Sequence, residues 1–318
     1  MATEAVPLPG AARRRRFTAT PYLFLLPALL SMALLTFYPI VYTVNLAFTN
    51  FNLYHFNSYQ YVGLKNFQDF LGSSTSYAQV FPSVLIWTLF FAVVTSVVNY
   101  VVGFLIAVLL NNPRIPERAI YRTIMIVPYA LPSAITVLIW RGLLDQSFGV
   151  IDSLLTSVGL PSVPWLADPT AARAAILLVN LWLGFPFNMI VCLGGLQSIP
   201  SDIYEAAALD GTSAFDRLRL LTLPLVFRVT APLLVGAFAF NLTNFNVAYL
   251  LTKGLPPRSD GISLAGTTDV LASFSYQLVN TYNQYGKAGA MGIAIFVISA
   301  GLSFVGLKFS GAFKEVRV

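Results

Sequence analysis

A chain of 318 residues, 57% hydrophobic and only 10% charged, lies far below the charge content of about 25% usual for soluble domains. With a mean hydropathy of +0.72, this excludes an ordinary soluble enzyme and makes a bilayer the natural solvent for the apolar surplus. The net charge of +6 falls in short loops between apolar runs, so it reads as membrane topology and not as a nucleic-acid surface. A single histidine, His55, and a single cysteine, Cys192, leave no His or Cys set for a metal centre and no intramolecular disulfide.

In chain order, residues 1–20 read as a cytoplasmic tail and residues 21–318 as a transmembrane domain. A charge-free apolar stretch needs about 20 residues to cross a bilayer. About six approach that length: Tyr22–Phe48, Phe81–Leu110, Thr123–Trp140, Ala174–Leu196, Val229–Leu251 and Ala288–Leu307. The fold class expected is therefore an all-α integral membrane protein. The first run is longer than the core of a signal peptide, and no small-residue cleavage site follows it. Pro27 and Pro39 should kink that run without abolishing it.

Lys and Arg set the orientation. Arg13 to Arg16, Arg114, Arg118, Arg122, Arg217, Arg219, Arg228, Lys308, Lys314 and Arg317 fall on one side of the six spans. Lys65, Arg141, Arg173, Lys253, Arg258 and Lys287 fall on the other. The richer side is expected to be cytoplasmic, with both termini there. Arg13 to Arg16 read as a topology signal or as a site for anionic lipid. Phe48, Phe51, Tyr54 and Trp140 sit near the expected interfaces, where aromatic side chains anchor a span.

The spans as drawn contain no Asp, Glu, Lys, Arg or His. Proton-coupled carriers use intramembrane carboxylates or histidines as relays, so such a carrier is disfavoured, although a sodium site of backbone carbonyls stays open. No G-x-x-x-x-G-K-[ST] is present, so ATP, if it drives transport, must bind a separate subunit. A membrane-embedded enzyme is disfavoured too. Asp145, Asp152, Asp168, Asp260 and Asp269 show no paired-carboxylate or metal-ligand spacing and are expected to be solvated loop groups.

The longest connection on the basic side, residues 197–228, carries two short helical patterns. Ser201 is expected to cap the first, Asp202 and Glu205 suit its N-terminal turn, and Gly211 should stop it. Ile203, Tyr204, Ala207 and Ala208 give it an apolar face. Ser213 and Asp216 form a capping-box pattern for the second, which is expected to end before Pro224. Such a helix can dock into a partner's groove or lie on lipid.

Polar groups in the spans form stripes. Tyr129 and Ser133 are four apart. Asn180, Gly184 and Phe187 share a face, with Leu183 beside it. Asn241 and Asn244 are three apart, with Phe240 adjacent. Amides, hydroxyls and rings on apolar walls suit the rim and faces of a sugar. The same amides also serve as interhelical hydrogen-bond partners, at about 0.6 kcal/mol on average.

Glu205, Ala206, Ala207, Asp210 and Gly211, followed by Leu223-Pro224, resemble the E-A-A-x-x-D-G loop of permease subunits of binding-protein-dependent ABC importers. The resemblance implies a type I importer permease fold in a prokaryotic plasma (inner) membrane. It also implies a coupling helix docked into an ATPase subunit, with Glu205 facing a basic residue there. Implied partners are a second permease, two ATPase subunits that carry ATP and magnesium, and an extracytoplasmic sugar-binding protein. This chain itself would hold no cofactor. Thr212 stands where the family often has Ala, a change expected to be tolerated.

VPYALPSAIT, NLWLGFPFNM, FAFNLTNF and LAGTTDVLASFSYQL are similar to the larger permease of maltose and maltodextrin importers. Together with the coupling loop, the likeness runs from Pro82 to the C-terminus. It implies sugar contacts at Tyr129, Ser133, Asn180, Leu183, Gly184, Phe187, Phe240, Asn241 and Asn244. All keep the residue type of that branch except Phe187, where the branch has Tyr. Maltose-like sugars, trehalose included, are the implied substrates. The loop 145–173 is short, whereas the best-known enterobacterial member has a large extracytoplasmic insert and extra N-terminal spans.

Overall fold

The computed structural model describes residues 20–72, 74–262 and 264–310. The expected tail with Arg13 to Arg16, and the basic positions Lys314 and Arg317, lie outside the described residues. Among the described residues the chain is helical apart from its loops, and one isolated antiparallel bridge joins Thr49 to Tyr61. It divides into two compact units, 1–45 and 46–318.

In the first unit, α1 (Thr20–Met32) passes through a π-helical turn, Ala33–Phe37, into α2 (Tyr38–Ala47). The turn lies just ahead of Pro39. A proline ring clashes with the carbonyl four residues back, and a widened turn is one of the recognised ways for a helix to absorb such a break.

The second unit begins with a loop tied by a 3-10 turn, Leu53–His55, whose N–H groups are capped by Asn52. There follow α3 (Lys65–Leu71), α4 (Ser76–Leu110), α5 (Arg118–Ala130), α6 (Ser133–Leu143), α7 (Val150–Ser157) and α8 (Pro169–Gln197). After these come α9 (Ser201–Leu209), α10 (Ala214–Asp216), α11 (Leu223–Thr243), α12 (Asn246–Thr252), α13 (Leu271–Asn280) and α14 (Tyr285–Ser310).

Among the described residues, five helical stretches are long and apolar enough to cross a membrane, and a sixth crossing is available if the bent pair α5 and α6 acts as one span. That pair corrects the expected straight helix over Thr123–Trp140. Its two halves meet at 93°. Leu131, which precedes Pro132, is extended at φ −83°, ψ 144°, because a proline disfavours the helical conformation in the residue before it. Tyr129 and Ser133 therefore belong to different helices and do not share a face.

α4, α8 and α14 overrun the expected spans, and α8 and α14 take cations in near their ends, whereas the expected span Val229–Leu251 is interrupted between Thr243 and Asn246. Arg173, one turn into α8, donates Nε to the Thr267 carbonyl at 2.9 Å and lies 4.7 Å from the Trp87 ring centroid. Lys287, at the start of α14, is 3.3 Å from Asp69 and 4.0 Å from the Tyr77 ring centroid. Each charge is thus paired or covered at a helix end rather than left in the apolar middle.

The central crossing is α4 against α8. A Cβ on Gly103 would sit 2.7 Å from both Asn188 Cβ and Met189 N, so only glycine lets the two backbones approach this closely. Apolar clusters fill in around the crossing. Phe91, Ile176, Val179 and Leu251 form one, Phe104, Met189, Cys192 and Val226 another, and Val80, Phe274, Leu278 and Met291 a third. Lipid is as apolar as these side chains, so it is close packing rather than burial from water that holds them together.

The loop after α8 departs from expectation in two details. Pro200, not Ser201, occupies the N-cap, and Ser201 is already helical without a side-chain cap bond. The second helix does not end before Pro224. α10 runs through a π-helical stretch, Arg217–Thr222, straight into α11, and that widened turn, just ahead of Pro224, absorbs the proline as the one ahead of Pro39 does. Ser213 does cap α10, with Asp216 N–H donating to its Oγ at 3.1 Å.

Candidate functional site

The expected sugar-contacting residues fall into two groups. Asn180 on α8 and Asn241 on α11 are buried, and Asn180 Nδ2 donates to Asn241 Oδ1 at 3.3 Å. Tyr129, Phe187, Phe240 and Ser133 are exposed in this chain, and the Tyr129 and Phe187 rings lie 6.0 Å apart, tilted at 36°. Leu183 is half-buried and packs on an apolar cluster beside Trp140. Asn244 is the C-cap of α11, with extended backbone, and its Oδ1 accepts from Asn246 N–H at 3.1 Å. A break between α11 and α12 thus separates Asn244 from the helical face that carries Phe240 and Asn241.

Two further residues join the buried amides, and both lie on α4, a span that the stripe pattern left out. Asn99 Nδ2 donates to Asn180 Oδ1 at 3.1 Å, and Asn241 Nδ2 donates to Ser96 Oγ at 3.2 Å and to the Ala237 carbonyl at 3.0 Å. Gly184 acquires a second reason to be glycine, since a Cβ there would overlap the Asn99 amide. Ser96 and Asn99 sit three apart in the longest apolar helix. That spacing was the available signal.

The loop helix is held on one side and bare on the other. Ala207 is buried, Tyr204 Oη lies 3.2 Å from Thr222 Oγ1, and both the N–H and the hydroxyl of Thr212 bond the Ala207 carbonyl, at 3.2 and 2.6 Å. Thr212 therefore closes the end of α9, a role that an alanine could fill only with its backbone. Gly211 has φ +72°, a conformation that only glycine adopts freely. Outward from α9 stand Glu205, Ala206, Asp210 and Leu209, the last 90% exposed. Of the expected apolar face, Ala207 alone is buried, while Ile203 and Ala208 are exposed. Leu209 is an outward apolar side chain that the pattern did not single out.

Two cavities lie away from the amides. One of about 460 Å³ lies behind α9, lined by Leu196, Tyr204, Phe215 and Arg217 among others. One of about 370 Å³ is lined by Asn50, His55, Lys65, Asp69 and Gln284 among others.

The loop aspartates are not simply solvated. Asp168 caps α8 by accepting from Thr170 and Ala171 N–H. Asp152 is buried and accepts from Ser162 Oγ and Val163 N–H, both at 2.8 Å. Asp260 pairs with Arg258 at 2.7 Å, and that contact holds its carboxyl below the ordinary value. Asp269 is 1% exposed and fits against Gly254, which has φ +83° and no room for a Cβ. It accepts from Gly266 N–H, Ser273 Oγ and Gln277 Nε2 at 2.7–2.8 Å. Burial nevertheless outweighs these donors and raises its pKa to about 6.

A raised carboxyl stabilises the fold fully below its unfolded pKa, near 3.8, and that contribution is lost as pH rises through about 6. The swing is about 3 kcal/mol. Asp269→Asn removes the titration. The melting temperature of the variant minus that of the wild type should therefore increase between pH 4.5 and 7 in detergent. A difference independent of pH would contradict this.

An apolar bundle of helices long enough to cross a bilayer, with a loop helix on its outside, defines a multi-pass membrane protein. The chain belongs to the family of binding-protein-dependent transport system inner membrane components, whose pattern matches residues 99–310. It is 36% identical over 298 residues to the galactooligosaccharides transport system permease protein GanP of Bacillus subtilis, covering 93% of this chain and 71% of that one. It is 39% identical over 250 residues to the maltose/maltodextrin transport system permease protein MalF of Salmonella typhimurium, covering 78% and 48%. It is 35% identical over 305 residues to the maltodextrin transport system permease protein MalC of Streptococcus pneumoniae, covering 92% and 69%. The chain thus spans about half the length of the enterobacterial relative. In fold it matches a chain of a bacterial ABC transporter that imports the acidic polysaccharide alginate, with a TM-score of 0.77 at 22% identity, over 93% of this chain and 96% of that one. The fold is that of a type I ABC importer permease, a multi-pass membrane subunit and not an enzyme.

Proposed function

We propose that this chain is the permease subunit of an ATP-driven importer of neutral oligosaccharides of the maltodextrin type. What carries the reading is α9, which presents Glu205, Leu209 and Asp210 away from the bundle while Gly211 turns the chain back. A helix anchored on one face and bare on the other is suited to a partner's cleft. ATP and magnesium then belong to two ATPase subunits on that side, which the surplus of Lys and Arg assigns to the cytoplasm together with both termini. A second permease and an extracytoplasmic sugar-binding protein complete the assembly. Tyr129 and Phe240, 55% and 66% exposed in this chain, suit a sugar path along the boundary with the second permease.

The candidate contacts favour a neutral sugar. Tyr129, Ser133, Asn180, Phe187, Phe240, Asn241 and Asn244 offer hydroxyls, amides and rings but no cation to meet a carboxylate. The test is uptake by the complex reconstituted in proteoliposomes with its ATPase subunits and binding protein, offered maltodextrins, trehalose, galactooligosaccharides and alginate oligomers. ATP-dependent uptake of maltodextrins well above alginate oligomers is expected. Uptake without the ATPase subunits would sink the importer reading. A preference for the acidic oligomers would sink the substrate class.

A further inference from the structure

The amides of α4, α8 and α11 form one directed chain. Asn241 Nδ2 faces the Ala237 carbonyl at 3.0 Å, and a backbone carbonyl can only accept. This turns Asn241 Oδ1 toward Asn180, which must answer with Nδ2. Asn180 Oδ1 then faces Asn99, which must also answer with Nδ2. One backbone acceptor thereby sets the polarity of three side chains. Ser96 Oγ, 3.2 Å from Asn241 Nδ2, returns the chain to α4 one turn from where it began. Asn99, Ser96, Asn180 and Asn241 are all buried, at 3–6% exposure.

The chain ends in a deficit. Asn99 Oδ1 is buried with no hydrogen-bond partner. As mere glue this is a poor arrangement, because a lone buried acceptor is unfavourable and an apolar residue of the same shape would fill the gap beside Gly184 without one. The feature that an apolar residue could not supply is the fixed orientation of the Asn180 and Asn241 amides.

We propose that Asn99 and Ser96 are positioning residues of the sugar path: they hold the carboxamides of Asn180 and Asn241 in a single orientation for substrate hydroxyls. The proposal rests on the reading of Asn180 and Asn241 as sugar contacts. Neither α4 residue needs to touch the sugar. Each acts through the amide it bonds.

The test measures maltodextrin uptake by the reconstituted complex, normalised to assembled protein, for Asn99→Leu, Ser96→Ala and Ser96→Thr, and for Asn99→Leu combined with Asn180→Leu. Asn99→Leu should raise KM about tenfold, the size of one unmade bond to a buried partner, and more than it lowers kcat. Ser96→Ala should act in the same direction, and Ser96→Thr, which keeps the hydroxyl, should restore KM. Because Asn99 works through Asn180, the double variant should be no worse than Asn180→Leu alone. An unchanged KM in Asn99→Leu, or losses that multiply in the double variant, would overturn the positioning role while leaving the sugar site standing. If Asn180→Leu and Asn241→Leu themselves leave KM unchanged, the sugar-site reading fails and the proposal falls with it.

Discussion

Asn241→Leu is expected to reduce maltodextrin uptake by roughly ten- to a hundred-fold per assembled complex. The side chain is at the centre of the buried amide chain, accepting from Asn180 and donating to Ser96 and the Ala237 carbonyl. Leucine keeps the branched outline of the side chain but is bulkier and makes no hydrogen bond, so Asn180 Nδ2 and Ser96 Oγ lose their partner. A buried polar group left unpaired costs about 1–3 kcal/mol, and about 1.4 kcal/mol is a factor of ten. A sugar that bonds the Asn241 amide loses that bond as well. The loss should therefore depend on the sugar offered, and Asn180→Leu should show the same dependence. A pure helix-packing role makes a different forecast, in which less protein assembles and every sugar is transported equally poorly by what remains. Equal losses across maltose, longer maltodextrins and trehalose, fully accounted for by poorer assembly, would remove these two residues from the site.

Glu205→Lys and Gly211→Pro should each separate ATP hydrolysis from uptake while the chain still inserts. Glu205 is exposed on α9, near the 90% exposed Leu209, so its reversal falls on the bare face of the helix and not on its packed one. Its effect must come from a partner, and central interface residues cost about 2 kcal/mol or more when lost, or roughly thirty-fold in affinity. Gly211→Pro acts on the backbone. Proline is held near φ −65°, whereas residue 211 has φ +72° and donates its N–H to the Ala208 carbonyl at 3.1 Å. The turn must open, and α9 loses its angle to the bundle. The measurements are sugar uptake and sugar-stimulated ATP hydrolysis in the same proteoliposomes. Wild-type uptake by Glu205→Lys would assign α9 to the lipid surface.

Much of this architecture could be read from residue order alone. Charge-free runs long enough to cross a bilayer have few other fates, and the E-A-A-x-x-D-G loop announces its helix and its stop through Glu205 and Gly211. Departures came where a local rule met a neighbour. The spacing of Tyr129 and Ser133 promised one face, but Pro132 breaks the helix between them. Asp269 and Asp152 looked like loop surface, yet neighbouring segments fold over them and supply their donors. Asn99 and Ser96 were hidden in the most apolar stretch of the chain. Hydropathy averages over a window, so it reports that a helix lies in the membrane but not which neighbour each side faces. Only the close crossing at Gly103 and Gly184 brings α4 against α8, and that contact converts separate polar residues on three helices into one hydrogen-bonded chain. Spacing along a sequence specifies faces of single helices. Which faces meet depends on the packing between them, and here glycine, by admitting a neighbouring backbone or amide, settles it.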